Sequence, residues 1–226
     1  MERLIRIRAV ALYTYRETIR NKILLNMLGF AVVLFGLAWM VSSWSLGEPL
    51  KILADLGLSI TALIGVFIAV FAGIVLVYTE VERGTILPIL AKPLPRWEYI
   101  VGKFVGFAAA ALLVYAGMSV LLLLQLALMG RFPNYQLVAA IYLAGWEVLL
   151  ITALAVMFSS FTSPAVSALA TMMLFVSGRF SWDIQVFINH HPDTSVRPLL
   201  QAVYAIIPHL SFFNIRYIAV HNLSLP

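Results

Sequence analysis

Cysteine is missing from all 226 residues of the chain, which rules out a disulfide framework and thiolate metal sites. Charge is nearly as scarce. Only 11% of residues are Asp, Glu, Lys or Arg, less than half the ~25% of an ordinary soluble domain. No GxxxxGK[ST] phosphate loop occurs, so the chain cannot itself be an ATPase. No HExxH pattern occurs either. His190, His191 and Asp193 have no helical metal-ligand spacing and are read as a solvated, Pro-containing loop. The N-terminal stretch "MERLIRIRAVALYTYRETIRNK" is too polar for the apolar region of a signal peptide, and no small-residue cleavage site follows it. What fills the chain instead is apolar: 62% of residues are hydrophobic. A soluble core of this size could not hide that much apolar surface, so the chain is read as membrane-embedded. The net charge of +5 does not argue for nucleic acid, because the basic residues flank apolar runs rather than forming a patch with stacking aromatics.

Ile23 to Trp44, Leu56 to Tyr78, Phe104 to Gly130 and Leu137 to Phe158 are each long enough to cross a ~30 Å hydrocarbon core as a helix. Phe161 to Gly178 is just adequate. Tight polar links join them: "SLGEPLKILAD", the segment from Glu80 to Glu98, "RFPNYQ", and "SSFTSP", where Ser163 is expected to cap a helix opening at Pro164. The expected fold is an all-α integral membrane protein, an N-terminal interfacial helix followed by five membrane helices. It forms a single domain over residues 1–226.

Lysines and arginines set the orientation. Arg3, Arg6, Arg8, Arg16, Arg20 and Lys22 precede the first span, and Arg83, Lys92, Arg96 and Lys103 lie between the second and third. The links after the first and third spans hold only Lys51 and Arg131. The N-terminus and the 80–98 segment are therefore expected on the cytoplasmic side of the cell membrane. Over residues 1–22 a helical wheel puts Arg3, Arg6, Tyr13, Arg16, Glu17 and Arg20 on one side. Leu4, Ile7, Ala11, Leu12, Tyr15 and Ile19 fall on the other, with Arg8 as a misfit. A cationic helix of this kind suits the headgroup boundary; the alternative is a cytoplasmic extension of the first span. Residues 179–226 are aromatic-rich and too often broken to span. They are expected outside, at the interface or packed back on the bundle.

The polar vocabulary concentrates in "ERGTILPILAKPLPRWEYIVGK". Gly84 permits a turn, and Thr85 can cap a short helix from Ile86 to Ala91. Lys92 suits that helix's C-terminal end, and Pro93 stops it. Pro95 opens the third span, with Glu98 in its first turn and Trp97 and Tyr99 at headgroup level. Ile86, Leu87, Ile89 and Leu90 are then presented to the cytoplasm. They either fit a partner's groove or rest on headgroups.

Glu80, Glu82, Gly84, Thr85, Leu90, Ala91, Lys92, Pro93, Arg96, Glu98, Tyr99, Gly102 and Lys103 together spell E-x-E-x-G-T-x-x-x-x-L-A-K-P-x-x-R-x-E-Y-x-x-G-K. This pattern resembles the cytoplasmic loop signature of ABC-2 type permeases, the membrane subunits of bacterial ABC exporters. The order of basic helix, two spans, loop and further spans extends the resemblance along most of the chain, as does the late "IPHLSFFN". The resemblance implies that Glu80, Glu82, Gly84, Thr85, Ile86, Leu87, Ile89, Leu90, Lys92, Pro93 and Arg96 couple to a separate cytoplasmic ATPase subunit, which binds the ATP and Mg. It also implies a homodimer or a heterodimer with a second permease subunit, and no cofactor in this chain. It further implies a sixth span, and the lack of one is read as a shortened sequence rather than a member ending outside.

Glu147, in "GWEVLL", is the single formal charge inside a predicted span. At a cost of at least ~2.5–3.5 kcal/mol in mid-membrane it should face the bundle or a polar cavity. It either lines a translocation route or makes a structural bond to a neighbouring helix. Met172 and Met173 are read as packing residues. The leading function is the permease subunit of an ATP-driven exporter. The alternatives are a membrane anchoring or assembly subunit that docks an ATPase, and a membrane-embedded enzyme, for which no constellation is visible.

Overall fold

The computed structural model describes residues 2–45, 47–82, 95–130, 134–190, 201, 204–205 and 210–213. Among these the chain is helical. In order come α1 (Glu2–Ile19), α2 (Lys22–Ser43), α3 (Pro49–Glu82), α4 (Arg96–Leu128), α5 (Tyr135–Ser159), α6 (Pro164–Arg179) and α7 (Ser181–His190), then a 3₁₀ turn at Leu210–Phe213. Four helices are long and apolar enough to cross a membrane: Lys22–Ser43, Pro49–Val70 within α3, Trp97–Leu128 and Tyr135–Ser159. The chain is an all-α, multi-pass membrane protein.

The helices are longer than the apolar runs that announce them. α3 starts at Pro49, so most of the stretch expected as a link continues the helix, and its 34 residues reach about 51 Å. α4 starts at Arg96, directly after Pro95 as its N-cap. Apolar run length measures only the part of a helix that sits in lipid; the polar turns at each end belong to the same helix. The fifth run behaves the other way. α6 has 16 residues, about 24 Å, short of a ~30 Å core. It opens at Pro164 as expected, but the Ser163 side chain makes no capping hydrogen bond. Thr162 belongs instead to the end of α5, where its backbone N–H and hydroxyl both donate to the Phe158 carbonyl.

α3 is the centre of the bundle, packed against α2, α4, α5 and α6. Two glycines set its fit to α4. A Cβ on Gly57 would overlap Leu122, and one on Gly65 would sit 2.7 Å from Val148 and 3.2 Å from the Tyr115 ring. These contacts set α3 and α4 antiparallel, so the end of α3 and the start of α4 lie at the same end of the bundle. The core around this pair includes Phe35, Leu53, Ile68, Val70, Leu122, Leu126, Leu137 and Ile151, all at most 2% exposed. At the other end Gly47, Glu48, Pro49, Leu50, Lys51, Gly130 and Asn134 line one open cavity of about 580 Å³. The α2–α3 and α4–α5 links therefore share one end of the bundle. α2 is the peripheral span. Leu25, Phe30, Val32, Val33, Leu37, Met40, Val41 and Trp44 are exposed along it, a surface suited to lipid.

Beyond α6 the character changes, as expected, but helical structure continues. Phe180 alone separates α6 from α7, and the buried Ser181 hydroxyl donates to the Gly178 carbonyl. Part of the aromatic-rich segment returns to the bundle. Leu210 is 1% exposed and Phe213 packs with it in the core, against α5 and α6.

Candidate functional site

Glu80 and Glu82 lie in the last turn of α3. Gly84, Thr85, Ile86, Leu87, Ile89, Leu90, Lys92 and Pro93 fall outside the described residues, and the chain resumes at Pro95. Arg96 is the first residue of α4, and Glu98 sits in its first turn, with its backbone N–H donating to the Pro95 carbonyl. The helix that leads into the segment and the helix that leaves it thus meet it at the same end of the bundle. Trp97, in the first turn of α4, is 53% exposed.

The second half of the loop signature does something the sequence did not announce: it seats α1. Glu98 is 1% exposed, and its Oε2 lies 3.5 Å from Arg6 Nε. One turn on, a Cβ at Gly102 would meet the Val10 Cβ at 2.8 Å. A turn further, one at Gly106 would meet the Ala11 carbonyl at 2.6 Å and the Thr14 Cβ at 2.7 Å. Only glycine at both places lets the backbones come this close. Partners advance together, Arg6 with Glu98, Val10 with Gly102, Thr14 with Gly106, so α1 runs beside α4 in the same sense. Lys103 is buried, with its ammonium 5.1 Å from the centre of the Tyr99 ring, a cation–π distance.

This changes the faces of α1. Thr14 and Thr18, placed on neither side by the helical wheel, are its most buried residues at 2% and 1% exposure. Leu4, Ile5 and Leu12 are exposed, as are Arg3, Arg8, Arg16 and Arg20. Arg6, assigned to the polar side, turns inward. The helix presents a protein face carrying Arg6, Val10, Thr14 and Thr18, and an exposed face on which Leu4, Arg8, Leu12, Arg16 and Arg20 follow one another at four-residue spacing, apolar and cationic residues interleaved.

Glu147 sits midway along α5 at 1% exposure. It is not a lone charge. α6 extends one residue past the predicted span, to Arg179, whose Nη1 donates to Glu147 Oε1 at 2.9 Å and Oε2 at 3.0 Å. The guanidinium carbon also lies 5.8 Å from the centre of the Phe175 ring. Arg179 was missed because the apolar run stops at Gly178. A usable signal was present: an acid in mid-membrane needs a cation, and Arg179 is the first basic residue after Arg131. Nearby, Tyr115 fills the space between Gly65 and Gly145, and its hydroxyl donates to the Ile141 carbonyl at 2.6 Å. The α5–α6 seam is small and polar. Ser167 donates across it to the Ala155 carbonyl at 3.4 Å, and Thr171 donates back to the Ser167 carbonyl at 2.8 Å. His190 ends α7, and His191 and Asp193 lie outside the described residues.

The arrangement is that of a multi-span bundle with polar joints between helices, in which α3 ends and α4 begins on the same side. The family described as ABC-2 family transporter protein matches residues 9–222. The chain belongs to this ABC-2 transporter family. No curated protein matches it. The permease is thus a membrane transport component rather than a catalytic subunit, of a family that normally works with an ATPase partner. Its match takes in α1 from residue 9 onward, the loop signature and the returning Leu210–Phe213 turn.

Proposed function

We propose that this ABC-2 permease forms the translocation route of an ATP-driven exporter in the cell's inner membrane. Its N-terminus is cytoplasmic, and the 80–98 segment docks a separate ATPase subunit. The observation that carries this is that α3 stops and α4 starts at the same end of the bundle. In both helices the charge-free stretch stops near Tyr78 and Phe104, so the turns holding Glu80, Glu82, Arg96 and Glu98 stand beyond the hydrocarbon. A segment slung between them meets water, and Ile86, Leu87, Ile89 and Leu90 then need an apolar partner. The cavity shared by Glu48 and Asn134 supports an outer location for the other links. ATP and Mg bind to the partner, and the working unit contains two permease chains, identical or not.

Within this proposal Glu147 and Arg179 join α5 to α6 beside the route. The test is the variant Leu87→Asp/Leu90→Asp. It inserts normally and no longer copurifies with the ATPase, because two carboxylates would be buried in an apolar groove. Arg131→Asp, in an outer link, leaves copurification unchanged. Full retention of the ATPase by the double variant contradicts docking through this segment. Retention of ATPase with no transport, across all variants and the unaltered chain, favours an anchoring subunit instead.

A further inference from the structure

We infer that Arg6, Glu98, Gly102 and Gly106 make α1 and the first turns of α4 one rigid piece, through which a displacement entering at Pro95 reaches α2 as well as α4. The inference rests on the docking reading above and extends it to residues outside the segment. Its basis is the geometry of the joint. Glu98 is buried beneath α1, and its carboxylate lies 3.5 Å from Arg6 Nε. Gly102 and Gly106 bring Val10, Ala11 and Thr14 to backbone-limited contact. Helices packed at that distance have no side-chain layer in which to slide, and the half-open Arg6 on the buried Glu98 carboxylate fixes their relative register.

The path onward is short. α1 ends at Ile19, and Asn21 is the N-cap of α2, its side chain accepting from the Ile23 N–H at 2.9 Å. Arg20 and Asn21 are the whole elbow. A movement entering at Pro95 therefore turns α4 directly and α2 through α1. α2 is the span with the least packing to resist it: only 22% of its apolar window is buried, against 61% for α3. Without the joint, α2 would be tied to the rest of the bundle chiefly along its α3 face. Arg6, Glu98, Gly102 and Gly106 act as positioning residues, and none is assigned contact with the ATPase by this inference.

The absence of cysteine makes the test clean. Spin labels on Leu12→Cys and Leu113→Cys, both exposed, report the α1–α4 distance. Labels on Leu37→Cys and Leu169→Cys report α2 against α6. Distances are measured in the complex with its ATPase, nucleotide-free and with ATP trapped by replacing the ATPase's catalytic glutamate with glutamine. The α1–α4 distance stays constant on ATP binding while the α2–α6 distance shifts. Arg6→Gln and Glu98→Gln each keep the ATPase bound and lose the α2 shift. The exchange Arg6→Glu/Glu98→Arg restores it, which a general loss of folding would not allow. Gly106→Leu broadens the α1–α4 distribution. A changed α1–α4 distance in the unaltered joint, or a full α2 shift in both single variants, overturns the inference. Failure of the unaltered chain to hold any ATPase is read before nucleotide is added and overturns the docking reading itself.

Discussion

Glu147 meets Arg179 through one guanidinium nitrogen at 2.9 and 3.0 Å, whereas Glu98 and Arg6 approach only to 3.5 Å. Both carboxylates are almost fully buried, and both partners are partly open, with side chains 25% exposed for Arg179 and 36% for Arg6. The difference is depth. Glu147 lies midway along α5, where neither partner reaches water easily and the pair must neutralise itself. Glu98 lies in the first turn of α4, ahead of the charge-free stretch that starts at Phe104, so α1 covers it, and the pair sets the register of a joint that Gly102 and Gly106 hold close. One pair closes on itself; the other works together with the glycines around it.

That contrast predicts an order of effects. The largest belongs to Arg179→Ala. Arg179→Ala strands the buried Glu147 carboxylate and should cost about 3–5 kcal/mol, read as a lowered unfolding midpoint in detergent; Glu147→Ala strands the part-open guanidinium and should cost less. The double variant Glu147→Leu/Arg179→Met should recover most of that loss, because an apolar pair of similar volume suits the membrane interior. If the double variant is stable and its complex still transports, the pair is structural; stability without transport places Glu147 in the route. Next comes Gly106→Leu, which must push α1 off α4 and should cost about 1–3 kcal/mol by overpacking. Glu98→Gln should cost less, since the joint keeps its glycine contacts and Arg6 reaches solvent. Tyr115→Phe is the smallest. It removes one hydrogen bond to the Ile141 carbonyl and should cost about 0.6–1 kcal/mol while leaving the ring between its two glycines. An effect of Glu98→Gln larger than that of Arg179→Ala would reverse the comparison.

Much of the bundle was legible in the sequence, for a physical reason. Lipid demands long apolar runs, and proline and charge mark where they stop, so Pro95 and Pro164 gave helix starts correctly to within a residue. The link expected before Leu56 was misjudged because Lys51 and Asp55 are charged yet sit within α3; polarity there reports the membrane boundary, not the helix end. Glu147 was found as a charge out of place, but its partner lay one residue past an apolar run and on another helix. The seat of α1 was hidden differently. Gly102 and Lys103 were visible as parts of the loop signature, and Thr14 and Thr18 as unremarkable helix residues. A small residue acquires meaning only from the surface laid against it, and no periodicity within α1 identifies α4 as that surface.

The docking claim is tested most directly by a single cysteine, Lys92→Cys, in a chain that has no other. In inside-out vesicles stripped of the ATPase it should react readily with an impermeant maleimide. In vesicles retaining the ATPase it should be protected, and in intact cells it should not react, while Glu48→Cys and Asn134→Cys do. Labelling of Lys92→Cys in intact cells, or equal labelling with and without the ATPase, would contradict the account.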